Sequence, residues 1–162
     1  MFSVAESVQA VEKNGDKLFT KELPRGRHCS FIKLSDGWGL KVYLRKDQRD
    51  DAHLHQTRAA VHGLGPETGP AFDVKVNEKD YFVYTTEVVE TVYQGCYFYQ
   101  VAPGGGESSE AHTQRVALID KWQEEADELK AELDTTIGWD FKDSFPSNWG
   151  LKNGQLICID FS

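Results

Sequence analysis

The segment that most constrains the fold is residues 143–161, close to the end of the 162-residue sequence. Asp143 is followed five positions later by Asn148, and two short apolar runs then flank Lys152-Asn153-Gly154. Asparagine and glycine adopt the tight turn that joins paired strands, so the two runs are predicted to form a hairpin. Because Asn148 precedes the first run and Asp160 follows the second, the hairpin would bring these two side chains together.

The preceding 140 or so residues predict an α+β fold with an antiparallel sheet of about five strands. Alternating apolar and polar residues indicate strands at 17–23, 29–34, 40–44, 72–76 and 81–86, and helical spacing indicates helices at 2–12, 47–64 and 107–134. For the middle helix we expect an N-cap at Asp47, Asp50 or Asp51 and a core-facing set of Leu54, Ala60, Val61 and Leu64.

Composition restricts the class of protein. A net charge of -8 and a pI of about 5.1 disfavour nucleic acid or an anionic membrane as the main partner. The three cysteines are odd in number and widely spaced, which favours free thiols in a reducing compartment. No signal peptide or long apolar run is visible, so the sequence predicts a cytoplasmic protein.

The order of elements resembles the protein-kinase-like fold, in particular its compact, atypical branch of aminoglycoside- and choline-kinase-like phosphotransferases. Segments similar to Asn148-Trp149-Gly150 and Ile159-Asp160-Phe161 also occur in short kinase-like proteins of tailed phages. The resemblance covers nearly the whole chain and stops at the counterpart of the D-F-G motif. It implies one domain (1–162), with an N-lobe of 1–89, a hinge or linker of 90–106 and a truncated C-lobe of 107–162.

The resemblance implies a minimal ATP- and Mg²⁺-dependent phosphotransferase. Asp143 would be the catalytic base, and Asn148 and Asp160 would hold the metal. The remaining roles fall to the N-lobe: Lys41 would contact the phosphates, the loop around Gly26 would cover them, and the backbone of Glu87, Val88 and Val89 would bind adenine.

Departures from the kinase pattern support an alternative, a non-catalytic pseudokinase-like module that docks on a partner protein and inhibits it. The loop around Gly26, called the lid loop below, has a single glycine where kinases have several. The helix at 47–64 has no glutamate to pair with Lys41. Gln56 is the best-placed partner for Lys41, with Asp50 and Asp51 as the other candidates. For a phage protein the partner would be a host protein, and a homodimer is a third arrangement.

Each of these motifs also has a plain structural interpretation. Lys41 would simply face solvent from an alternating strand, and the C-terminal residues would form a polar turn and a hairpin. His53 and His55 do not share a helix face, so no zinc site is assigned to them. The aromatic residues near the hinge (Tyr93, Tyr97, Phe98 and Tyr99) would be core, or a partner surface if exposed.

Overall fold

The structure is a computed structural model that describes residues 3–20, 22–23, 28–34, 37–93 and 109–162. The chain has the α+β class that the sequence predicts. Along the described residues the elements are α1 (Val4–Asn14), β1 (Cys29–Lys33), β2 (Trp38–Tyr43), α2 (Lys46–Val61), β3 (Thr68–Val76), β4 (Lys79–Glu87), β5 (Glu90–Thr91), α3 (Ser109–Ile137), β6 (Trp149–Lys152) and β7 (Gln155–Cys158).

Four strands form an antiparallel sheet in the order β1-β2-β4-β3. In its register Lys41 of β2 lies between Phe31 of β1 and Tyr84 of β4. Strands β3 and β4 are joined through Asn77 and Glu78, whose φ angles of 51° and 65° belong to the mirror-image turn that suits a twisted hairpin. The sheet therefore places Lys41 on an inner strand, with α2 as the connection from β2 to β3.

The two faces of this sheet pack against different helices. Leu40 and Val42 of β2 join Val11 of α1 in one apolar cluster. Tyr43 of β2 lies on the opposite face, in a cluster with Ala52 of α2. Because side chains alternate along a strand, Lys41 shares the α2 face with Tyr43.

A second sheet, in the order β5-β6-β7, carries the C-terminal segment. The predicted hairpin is confirmed: β6 and β7 pair antiparallel, and Asn153 and Gly154 turn between them with φ angles of 53° and 75°. Helix α3 covers this hairpin by burying Leu129 and Leu133 in a cluster that also holds Trp149 and Phe161. Burial of the large rings of Trp149 and Phe161 holds the hairpin against the helix.

The predicted strand at 17–23 is wrong for the residues that the structure describes there. Leu18 donates its N–H to the carbonyl of Asn14, and Thr20 donates to the carbonyl of Lys17, so the chain continues from α1 in successive turns. Phe19 adopts a φ of 61°, which is incompatible with an extended strand. The sheet consequently has four strands in the described part of the chain.

Helix α2 forms close to its predicted place but is not built as the sequence pattern suggests. Its N-cap is Arg45 and makes no side-chain capping bond, so none of the three predicted aspartates caps it. Leu54 and Val61 are 46% and 78% exposed, although both were expected in the core. The buried residues are Arg49, Ala52, Gln56 and Ala59. The helix thus packs through two alanines and two polar side chains, for which hydrophobic spacing gives no signal.

Arg49 shows how a polar helix face can be buried. It donates to the backbone carbonyls of Phe72 (2.8 Å) and Val83 (3.1 Å) and to Asp73 Oδ1 (3.0 Å). These three bonds attach α2 to β3 and β4 through the Arg49 guanidinium. None of the helices in the described ranges carries an apolar stretch long enough to cross a bilayer.

Candidate functional site

Lys41 is a fully buried lysine on the α2 face of the sheet. Its Nζ donates to Gln56 Oε1 at 3.0 Å and to the carbonyl oxygen of Ile159 at 2.7 Å. The structure confirms the predicted contact with Gln56, whereas the side chains of Asp50 and Asp51 are 55% and 70% exposed. The interpretation of Lys41 as a solvent-facing residue is wrong, because the residue is fully buried. A buried ammonium needs hydrogen-bond acceptors, and Gln56 and Ile159 supply them.

Gln56 makes four hydrogen bonds in this buried network. Its Oε1 accepts from Lys41 and also from the hydroxyl of Tyr84 at 2.8 Å. Its Nε2 donates to Thr86 Oγ1 at 2.7 Å and to the carbonyl oxygen of Pro66 at 3.2 Å. Two acceptor and two donor positions are all that a side-chain amide offers, so Gln56 is saturated.

The turn that precedes β6 orients Asn148. A short 3₁₀ helix spans Pro146–Asn148, and Asn148 Nδ2 donates to the backbone carbonyl of Asp143 at 2.8 Å. This bond fixes the amide so that its Oδ1 points away from that carbonyl. The side chain of Asp143 belongs to an exposed residue at the same turn. The spacing of five residues thus holds the amide in one orientation and leaves the carboxylate at the surface.

Asp160 lies shortly after β7, and Asn148 directly precedes β6, the strand that pairs with β7. The N–H of Ile159 donates to the carbonyl of Asn148 at 3.0 Å, and Cys158 pairs with Trp149 in the ladder. Asp160 itself is half-buried. The hairpin thus places the backbone of Asn148 opposite that of Ile159, the residue before Asp160, whereas a shared site for the Asn148 and Asp160 side chains stays a prediction.

The two residues that follow Asp160, Phe161 and Ser162, hold its carboxylate in place. Its Oδ1 accepts from the backbone N–H of Ser162 at 3.0 Å and from the Ser162 hydroxyl at 2.5 Å. Phe161 is 1% exposed and packs so closely on Gly65 that a Cβ there would lie 2.9 Å from its Cζ. Trp139 covers Phe161 from another side, with ring centroids 4.9 Å apart. The carboxylate is thus anchored by an aromatic residue buried in the core.

Burial also sets the protonation of two neighbours of this cluster. Burial, followed by the charge of Asp160, raises the pKa of the Cys158 thiol well above its usual range. The pKa of Tyr43 is raised in the same way, first by burial and also by negative groups that include Asp160. Both groups therefore stay protonated at neutral pH, and Cys158 is not a thiolate nucleophile.

Two of the three residues predicted to bind adenine already use their backbone N–H groups within the protein. Glu87 donates to the carbonyl of Glu67 at 2.8 Å, and Val88 donates to the carbonyl of Gly37 at 2.7 Å. A ligand edge at this strand end would therefore have to use the N–H of Val89 or carbonyl oxygens.

Glu87 also makes an ion pair that no sequence pattern predicts. Its Oε2 accepts from Lys152 Nζ at 2.7 Å, and both side chains are 27% exposed. The pair joins the end of β4 to the turn of the C-terminal hairpin, across 65 residues of sequence. Neither residue belongs to a spacing pattern, so only the assembled structure reveals the pair.

Some predicted features fall outside the described residues. These are Gly26 with the lid loop, and the aromatic residues Tyr97, Phe98 and Tyr99. The division into lobes at residues 89 and 107 also stays a prediction, because 94–108 lie outside the described part of the chain.

The side-chain oxygens of the predicted ligands, Asn148 and Asp160, are of the type that magnesium prefers over a soft metal. Within the described ranges no three His, Cys, Asp or Glu side chains group closely enough to hold an ion by themselves. Magnesium seldom needs such a group, because it is usually held by one or two carboxylates together with phosphates and water. Asn148 Oδ1 and the Asp160 carboxylate are consistent with that mode of binding.

The sequence matches no protein-family model and no curated protein. The function is therefore inferred from the chemistry of the site.

Proposed function

We propose that this chain is a kinase-like module that binds a Mg²⁺–nucleotide at the cluster formed by Lys41, Asn148 and Asp160, and that it acts as a minimal phosphotransferase. One observation carries the proposal. Lys41 Nζ donates to the carbonyl of Ile159, the Ile159 N–H donates to the carbonyl of Asn148, and the Asn148 side-chain amide donates to the carbonyl of Asp143. Residues predicted for one site, and separated by about 100 positions, lie within a few bonds of each other.

In the proposed site, Asn148 Oδ1 and Asp160 would supply the protein ligands of Mg²⁺. The orientation of the Asn148 amide and the half-buried position of Asp160 support this assignment. When bound, the ion would neutralise charge on the phosphates of the nucleotide. Asp160 uses Oδ1 to accept from Ser162, so Oδ2 is the oxygen proposed to face the ion.

Lys41 would contact the phosphates and Asp143 would orient the acceptor hydroxyl. For Lys41, this role requires its ammonium to exchange the carbonyl of Ile159 for a phosphate oxygen while it keeps Gln56. A phosphate is the stronger acceptor because it is charged. The exposed Asp143 side chain is accessible to an acceptor from solvent.

A second candidate, the non-catalytic module that docks on and inhibits a partner protein, is favoured by a different observation. The Lys41 side chain is 0% exposed and its ammonium is already bonded to Gln56 and Ile159. The N–H of Val88 at the predicted adenine edge is also bonded within the protein. In this function the polar network would serve as a scaffold, and the partner would bind elsewhere on the chain.

Calorimetry with ATP and a non-hydrolysable analogue, with and without Mg²⁺, tests the proposed site. We expect Mg²⁺-dependent binding by the wild type that Asp160→Asn abolishes. Asp140→Asn is the matched control, since Asp140 is an exposed aspartate of the same C-terminal region. Absence of binding heat in every condition, or equal binding by both variants, would rule out the nucleotide site.

Turnover then separates the two candidate functions. A phosphotransferase loses ATP turnover in Asp143→Ala while it retains Mg²⁺–nucleotide binding, because the base acts on the acceptor and not on the nucleotide. A wild type that binds nucleotide without turnover, and a partner protein whose binding survives Asp160→Asn, would favour the docking module.

A further inference from the structure

Gln56 accepts two of its four hydrogen bonds and donates the other two. Lys41 and Tyr84 donate to Oε1, whereas Nε2 donates to Thr86 and to the carbonyl of Pro66. Gln56 is fully buried, so water does not replace a bond that is lost.

We propose that Gln56 is a positioning residue for Lys41 and that its surroundings require an amide, so that the glutamine is not a degraded form of a glutamate. The proposal rests on the proposed function insofar as Lys41 acts on a nucleotide. In protein kinases a glutamate pairs with the corresponding lysine, whereas here Gln56 contacts Lys41.

A carboxylate at position 56 would satisfy only half of the network. It accepts hydrogen bonds and donates none when ionised, so one of its oxygens would face the Pro66 carbonyl oxygen, another acceptor, near the present 3.2 Å. The Thr86 hydroxyl cannot compensate without a loss, since it donates to the carbonyl of Glu87 at 3.2 Å. The stronger attraction between a carboxylate and Lys41 would thus be offset by repulsion on the opposite side of the same group.

The network also explains what positions the lysine. Through Gln56, the ammonium of Lys41 is connected to β4 at Tyr84 and Thr86 and to the loop after α2 at Pro66. A change at any of these points is transmitted to Lys41 because all the bonds meet on one amide. Through Gln56, Lys41 is in this way connected to α2, β4 and the loop after α2, in addition to its direct bond to Ile159.

The first test compares Gln56→Glu with Gln114→Glu, the same substitution at an exposed position on α3. We expect Gln56→Glu to lower Tm by about 3–10 °C and to raise the Kd for Mg²⁺–ATP by about tenfold, because it leaves a buried acceptor unpaired and displaces Lys41. The control should match the wild type in both. A Gln56→Glu variant that is as stable as the wild type overturns the proposal, and so does one that binds nucleotide as tightly as a wild type that binds it.

The second test observes Lys41 directly and remains informative if Gln56→Glu does not fold. In protein with ¹⁵N-labelled lysine, the Lys41 Nζ signal is identified by its loss in Lys41→Arg. Thr86→Val removes an acceptor of Gln56 without touching Lys41, and we expect it to shift this signal. Thr57→Val, at an exposed threonine of α2, should leave the signal unchanged. An unshifted signal in Thr86→Val overturns the proposal.

These readouts distinguish the two inferences. Tm and the Nζ signal are measured without nucleotide, so they decide the role of Gln56 even if calorimetry finds no nucleotide binding by the wild type. In that case the proposed function fails by itself.

Discussion

The two faces of strand β2 bury neighbouring residues of opposite character, apolar on one face and charged on the other. Towards α1, Leu40 and Val42 are fully buried in an apolar cluster. Towards α2, the residue between them, Lys41, is buried just as completely but is bonded to Gln56 and the Ile159 carbonyl. The α1 face is mainly apolar, although Ser30 and Thr85 are also buried there opposite Val42 and Leu40, whereas the α2 face buries a charge.

The difference indicates where stability and function lie. Apolar burial favours folding by about 0.8 kcal/mol per CH₂ group and needs no specific partners. A buried ammonium costs several kcal/mol unless its hydrogen bonds are made, and a well-packed apolar residue would serve the fold equally well. A costly polar network beside an apolar one of the same depth is therefore the more informative indication of a functional site.

The largest change in stability is expected on the α1 face. Leu40→Ala should lower the free energy of unfolding by about 2–5 kcal/mol, because it leaves a cavity at a residue that is 0% exposed. Leu44→Ala, at a side chain that is 44% exposed, is the control and should change it by less than about 1 kcal/mol. Urea unfolding measures both. If the folded Leu40→Ala variant lost nucleotide binding specifically, the division between the faces would be incorrect.

An intermediate change in stability, with a larger effect on binding, is expected for Lys41→Met. The substitution keeps most of the volume but leaves the carbonyl of Ile159 without its donor, for a loss of about 1–3 kcal/mol. Mg²⁺–nucleotide binding, measured by calorimetry, should be lost. Lys75→Met, at an exposed lysine of β3, removes the same charge and should retain binding. Equal binding by the two variants would show that the polar face does not form the site.

The smallest effect is expected in the response to alkaline pH. Burial holds the pKa of Tyr43 well above that of an unfolded tyrosine, which is 10.0, so the folded state favours the neutral phenol. Its contribution is complete below pH 10 and decreases as pH rises further, because the unfolded chain releases the proton first. The loss is about 1.4 kcal/mol per pH unit for one such group.

Above pH 10, Tyr43→Phe should make the loss of unfolding free energy less steep by about 1.4 kcal/mol per pH unit. Urea unfolding at a series of pH values measures this slope. The Cys158 thiol, whose pKa is also raised by burial, should cause a similar loss that begins near its usual value of 9.0. Identical slopes for the wild type and Tyr43→Phe would show that the phenol ionises as easily in the folded state as in the unfolded one.

The sequence by itself determined the features that depend on neighbouring residues. The turn at Asn153-Gly154 and the alternation of side chains between the two faces of β2 both follow from local backbone preferences. Five-residue spacing likewise sufficed to place Asn148 near Asp143. Gln56 was identifiable as the partner of Lys41 from its position on the predicted helix.

Only the tertiary structure decided the features that depend on distant residues. Nothing local indicates that Lys41 donates to a carbonyl 118 positions away, or that Glu87 pairs with Lys152. The same limit explains why Val61 is exposed while Gln56 is buried in α2. Hydrophobic spacing predicts which residues prefer the core, but a polar side chain is buried when enough partners surround it, and those partners come together only in the folded chain.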